Sequence, residues 1–124
     1  VCRGNQFLCV MNGGKLVQDS THPYMHKMIT SDGREIITNS MHHQQALLTN
    51  VDPNNYILLG WAERISRHHL NGDNVDYRFP TDYKEPEVIF WPKTKSIGFQ
   101  MHPEAMNPVC DLVKYCQEMV SKYI

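Results

Sequence analysis

An α/β domain is what this sequence predicts, and three observations predict it. Stretches with helical patterning stand near both ends of the chain, at residues 3 to 12 and from residue 107 onward. Apolar runs of strand length lie between them. Glycine or proline turns separate those runs. A chain of 124 residues suffices for one folded unit and not for two, so residues 1–124 read as part of a single domain.

Bulk charge narrows the class of partner. A formal charge of −1 gives no electrostatic reason to expect nucleic acid. No apolar run approaches the roughly 20 residues that cross a bilayer, and no signal-peptide pattern opens the chain. Neither nucleic acid nor a membrane is an expected partner, and the expected setting is cytoplasmic.

The elements follow in order. Residues 3 to 12 predict a short helix, stopped by Gly13-Gly14 in the usual place past a helix end. Residues 15 to 18 suit a brief strand, and residues 19 to 28 a polar loop around Pro23. Residues 34 to 38 read as a strand running into Asn39-Ser40-Met41-His42-His43-Gln44. The continuous apolar run of residues 56 to 62 predicts a strand buried on both faces. A polar stretch without clear period fills residues 64 to 84, with a tight turn at Asn71-Gly72. Residues 87 to 91 and 96 to 100 predict two strands of a hairpin, joined by a turn over residues 92 to 95. From Asn107, a cap, and Pro108, suited to the first helical position, a tail helix is expected. Its apolar face would carry Val109, Leu112, Val113, Cys116, Met119 and Val120.

The cysteines Cys2, Cys9, Cys110 and Cys116 lack the spacing of a zinc site or a redox pair. Cys9 lies in the apolar run FLCVM and Cys116 on the tail helix stripe, so reduced, buried thiols are expected there. Cys2 is different, because it precedes a helix and has Gly4 close by. A sharp turn with small neighbours lifts a nucleophile clear of a sheet. The helix N-terminus favours thiolate over thiol, and the N–H of Arg3 could also meet a tetrahedral oxyanion. A thiol nucleophile also needs a base, and the base a partner to orient it. The segment GFQMHPEA supplies both, with His102 directly after a strand and Glu104 two residues on, across the stiff Pro103.

In chain order stand a Cys-x-Gly-x-Gln elbow, an Asn-Ser-x-His-His-Gln segment and a Gly-Phe-Gln-x-His-Pro-Glu segment. Together they resemble the class I glutamine amidotransferase superfamily. The closest likeness is to its gamma-glutamyl hydrolase branch, which includes gamma-glutamyl-gamma-aminobutyrate hydrolase. CRGNQ, NGGKLVQD, TNSMHHQ, PEVIFWP and IGFQMHPE all have counterparts there. The resemblance implies that Cys2 is the nucleophile, His102 the general base and then acid, and Glu104 the residue that orients His102. It implies an oxyanion-hole N–H from Arg3, and a substrate side formed by Gln6, Ser40, His42 and His43. It also implies a flavodoxin-like three-layer sandwich, of which this chain is the C-terminal part. The N-terminal strands would then come from the remainder of the domain or from a partner chain. Asn5, Phe7 and Met101 depart from the family's commonest choices without touching a reacting group, which leaves substrate identity open.

The implied ligand is a small gamma-glutamyl compound, and the chemistry requires no cofactor. The adjacent pairs His42-His43 and His68-His69 can each offer at most one metal ligand from an extended segment, so no metal site is expected. Two other readings stay open: a glutaminase subunit that passes ammonia to a synthase, and a non-catalytic module that keeps only the fold.

Overall fold

The computed structural model describes residues 1–20, 24–41, 44–63, 68–69 and 82–124. The first helix, α1 (Arg3–Met11), ends as the glycines predict. Gly13 turns at φ 89°. Its N–H donates to Val10 O at 3.0 Å, while Gly14 N–H donates to Cys9 O at 2.9 Å. That pair of backward bonds is a Schellman ending, and it satisfies carbonyls the helix leaves open.

Nine strands follow among the described residues: β1 (Lys15–Val17), β2 (Asp19–Ser20), β3 (Met25–Thr30), β4 (Glu35–Asn39), β5 (Gln45–Leu47), β6 (Ile57–Ala62), β7 (His68–His69), β8 (Pro86–Trp91) and β9 (Ser96–Phe99). Five of them form one sheet in the order β4-β3-β6-β8-β9. Every pairing in it is antiparallel. β1 pairs with β5 and β2 with β7, both also antiparallel. The last helix is α2 (Asp111–Tyr123).

Side-chain alternation along β8 separates two cores. Val88 and Phe90 pack with Met28, Ile36, Leu59, Phe99 and Met101 against Leu112, Tyr115, Cys116 and Met119 of α2. Ile89 and Trp91 face the other way, onto Cys9 of α1 with Ala46, Leu48 and Val51. The two helices therefore cover opposite faces of one antiparallel sheet. The mixed α/β class is as expected. The parallel pairing of a flavodoxin-like sandwich is not among the described strand pairs.

Local differences from the sequence reading have physical causes. The expected loop of residues 19 to 28 contains β2 and most of β3, an interior strand paired on both sides. Its polar residues hid it: His26 finds Glu87 at 2.8 Å, and Thr30 binds within its own turn. β5 also went unexpected. β6 is not buried on both faces, because Ile57 at its start is 42% exposed. The tail helix starts at Asp111 and not at Asn107. Asn107 Oδ1 accepts the Val109 N–H at 3.0 Å and its carbonyl accepts that of Cys110, which closes a separate turn before the helix. Val109 is consequently exposed, as is Val120. The turn at Asn71-Gly72 lies outside the described residues, as does most of the stretch from 64 to 84.

Candidate active site

Cys2 sits at the entrance to α1 with φ 48° and ψ −105°. A non-glycine residue in that region is strained by about 1–3 kcal/mol and persists only where its surroundings fix it. The surroundings here are the end of β9. The Cys2 N–H donates to Phe99 O at 2.6 Å, and its carbonyl accepts the Gln6 N–H at 3.1 Å inside the first turn of α1. The side chain is only half-buried. Such a turn puts a thiol at a helix N-terminus and leaves it accessible, which is the arrangement a nucleophile needs.

The ground beneath the sulfur is polar. Gln100, wholly buried, follows β9, and its Nε2 lies 4.0 Å from Cys2 Sγ. Its Oε1 accepts a hydrogen bond from Asn5 Nδ2 at 3.2 Å, so the amide's N–H side is turned to the thiol. Asn5 reaches this place because Gly98 has no side chain. A Cβ there would come within 2.2 Å of Asn5 Oδ1.

His102 lies two residues beyond Gln100. Its Nδ1 is 2.5 Å from Glu104 Oε1, across the 3₁₀ turn Pro103–Ala105. That hydrogen bond is the chief reason the Glu104 carboxyl lies below its ordinary pKa. An ionised carboxylate only accepts, so Nδ1 carries the hydrogen, and in the neutral ring the lone pair then falls to Nε2. This is the polarity a general base requires. The other core thiols are of another kind. Burial pushes Cys9 up to about 11 and Cys116 up to about 12, which keeps both protonated.

Cys2, through its N–H bond to Phe99 O, and the His102–Glu104 pair lie at the same end of β9, and among the described residues the hydrogen-bond partner of Cys2 Sγ is Gln100 and not His102. Arg3 opens α1, where a first-turn N–H has no intrahelical partner. Gln6 is buried, and its amide donates to Gln44 O at 2.6 Å, which ties α1 to the segment expected on the substrate side. Ser40 is buried, its N–H donates to Tyr24 O at 2.6 Å, and its hydroxyl has no hydrogen-bond partner among the described residues. His42 and His43 lie outside the described residues.

Sequence reasoning missed a second set of polar residues at this end of the sheet. His26 Nε2 meets the fully buried Glu87 at 2.8 Å, and Gln45 Nε2 donates to Pro86 O at 2.6 Å. The one available signal was a histidine and two glutamates set among strand residues, Glu85 and Glu87 both being buried. Sequence reasoning placed Asn39 only at the head of the substrate-side segment, Asn39 to Gln44, and gave it no part in holding His102. Among the described residues no group of three or more His, Cys, Asp or Glu side chains could hold a metal ion, and no helix is long and apolar enough to cross a membrane.

Compared with family models, curated proteins and solved structures, the chain finds no match. Its function has to be argued from the residues and their geometry.

Proposed function

We propose that the protein is a cysteine-dependent amidohydrolase that cleaves a gamma-glutamyl amide bond, in glutamine or a gamma-glutamyl peptide or amine, through a thioester. One observation carries this reading. A strained cysteine at a helix N-terminus and a histidine–carboxylate pair stand at the same end of one strand. A buried thiol in a core has no need of either feature.

In the proposed reaction His102 Nε2 takes the Cys2 proton, and the sulfur attacks the side-chain carbonyl carbon. The carbonyl oxygen gains negative charge and is met by the Arg3 N–H. Collapse breaks the C–N bond, and the amine leaves with the proton His102 had taken. Water, deprotonated by the same nitrogen, then attacks the thioester carbon, releases glutamate and returns the thiol. Glu104 keeps Nδ1–H in place throughout and stabilises the imidazolium. Ser40 Oγ, buried and without a described partner, is the donor assigned to the glutamyl end of the substrate. Gln6 supports that side through Gln44, and His42 and His43 are assigned there by the family resemblance alone.

The finer fold belongs to the same proposal. Helices on opposite faces of a sheet suit the C-terminal portion of a class I glutamine amidotransferase-like domain. The parallel strands of that architecture would be supplied by the remainder of the domain or by a partner chain.

The test is release of p-nitroaniline from gamma-glutamyl-p-nitroanilide, and of ammonia from glutamine, by the native protein and by Cys2→Ala. Turnover by the native protein alone, with 6-diazo-5-oxonorleucine bound to Cys2 in the mass spectrum, is the expected result. Equal turnover by Cys2→Ala, or an inert native protein that the analogue does not label, would overturn the reading.

A further inference from the structure

Asn39 closes β4, far from His102 in the chain, and its side chain grips the main chain of that residue twice. Oδ1 accepts the His102 N–H at 2.8 Å, and Nδ2 donates to the His102 carbonyl at 2.8 Å. The amide therefore pairs with residue 102 as a neighbouring strand would, using a side chain where β9 has ended. Asn39 is 1% exposed, so its end of these bonds is shielded from water.

Consider what else fixes the imidazole. Glu104 holds its ring, but the Glu104 side chain is 61% exposed, and an ion pair so placed constrains little by itself. Pro103 restricts the chain after His102, and the fully buried Met101 anchors the chain before it. The Ala105 N–H also donates to the His102 carbonyl, at 3.1 Å within the 3₁₀ turn, but none of these fixes the peptide groups on both sides of His102. The side chain of Asn39 does so from both sides of the residue, and thereby aims the Cα–Cβ bond that carries the ring.

We infer that Asn39 is a positioning residue for the base: its amide fixes the His102 backbone so that the ring meets Glu104 through Nδ1 and leaves Nε2 for the proton transfer of the proposed reaction. Its role in turnover rests on the proposed reading of His102 as base. Asn39 also directly precedes Ser40. One residue thus links the base to the segment assigned to the substrate, so the two cannot move independently.

Asn39→Leu keeps the branched outline with more bulk and removes both hydrogen bonds, and Asn39→Ala removes them with less bulk. Thr38→Val alters a neighbouring buried side chain whose hydroxyl donates to the Asn39 carbonyl at 3.5 Å and leaves the Asn39 amide untouched, and serves as the control. In each Asn39 variant kcat for gamma-glutamyl-p-nitroanilide is expected to fall about 30- to 100-fold with KM nearly unchanged, the size expected of a misplaced reacting group. Thr38→Val should keep the native kcat once assayed below its melting temperature. The second readout is His102 itself. Imidazole ¹H–¹⁵N spectra should show one tautomer, protonated at Nδ1, in the native protein and a mixture in the Asn39 variants. An inert native protein would defeat the proposed function while the ring spectrum still decides the role of Asn39. A folded Asn39 variant with the native ring spectrum overturns that role whatever its activity. Should neither variant fold, Asn39→Asp, which keeps the acceptor for the His102 N–H, is read in the same way. Loss of the fold in all three assigns Asn39 to stability alone and also overturns it.

Discussion

Gly98 leaves the space that Asn5 occupies: a Cβ on this glycine would lie 2.2 Å from Asn5 Oδ1 and 3.0 Å from its Cγ. The contact fixes how closely α1 approaches β9, and therefore where Cys2 stands at the head of that helix. Asn5 is fully buried, so its side chain has no room to withdraw. Gly98→Ala should destabilise the fold by about 1–3 kcal/mol, the usual cost of overpacking a tight core. It should also slow alkylation of Cys2, because the helix has to move outward. Asn5→Ala in the same chain should recover part of both losses, and a double-mutant cycle read by urea unfolding and by iodoacetamide labelling checks the coupling.

Glu104 supplies the pH dependence. Its hydrogen bond with His102 holds its carboxyl below the ordinary value, so the folded pKa is the lower one. A carboxylate of that kind contributes to stability above its unfolded pKa of about 4.3, and the contribution disappears as pH falls through the lower, folded pKa. Because the side chain is 61% exposed, Glu104→Gln should change unfolding free energy at pH 7 by less than about 1 kcal/mol. Its effect on turnover should be larger, with kcat lowered on the order of 100-fold, since the amide can favour the wrong ring tautomer. Urea titrations and kcat for the chromogenic substrate, measured side by side, distinguish the two effects.

Much of this was legible in the sequence. The helix at Arg3 and its glycine stop, the hairpin of β8 and β9, and strands β1, β4 and β6 follow from local pattern, because apolar spacing and turn residues act over a few positions. Cys2 and the His102–Glu104 pair were visible through their neighbours. What was hidden depends on contacts distant in the chain. β3 looks like a loop until His26 meets Glu87, 61 residues away. The start of the tail helix was misplaced because Asn107 can cap a helix or close a turn, and only the packed chain selects the turn. Asn39 gave no sign of its part, since an asparagine at a strand end is ordinary until the residue it grips is known.

Thiol chemistry separates the four cysteines. All are free, Cys2 and Cys110 half-buried and the other two buried. With Cys9 pushed up to about 11 and Cys116 up to about 12 by burial, neither forms thiolate at pH 8. Iodoacetamide at that pH should modify Cys2 first and Cys110 more slowly. Cys9 and Cys116 should react at least about 1,000-fold more slowly, through rare opening of the fold. Peptide mass spectrometry over a time course gives the order, and early labelling of Cys9 would contradict its place between α1 and β5.

The turn between β3 and β4 is fastened to α2 by charge. Arg34 bonds Asp32 through Nε and Nη2, the latter at 2.8 Å, and reaches Glu118 of α2 through Nη1 at 3.0 Å. Its guanidinium also lies 4.9 Å from the centre of the Tyr115 ring. The Arg34 hydrogen bonds, with a smaller one from the Thr30 hydroxyl, lower Asp32 to about 2. The folded pKa is again the lower one, so the contribution is complete above the unfolded value of about 3.9 and is lost as pH falls toward 2. Asp32 is half-exposed, which screens it, and Asp32→Asn should therefore cost no more than about 1 kcal/mol at pH 7. The difference between native and variant should shrink between about pH 4 and pH 2, and also in 1 M salt, where the Debye length falls to about 3 Å. Urea unfolding at pH 7, 4 and 2 measures it, and a difference that grew as the pH fell would show that Arg34 draws on some group other than Asp32.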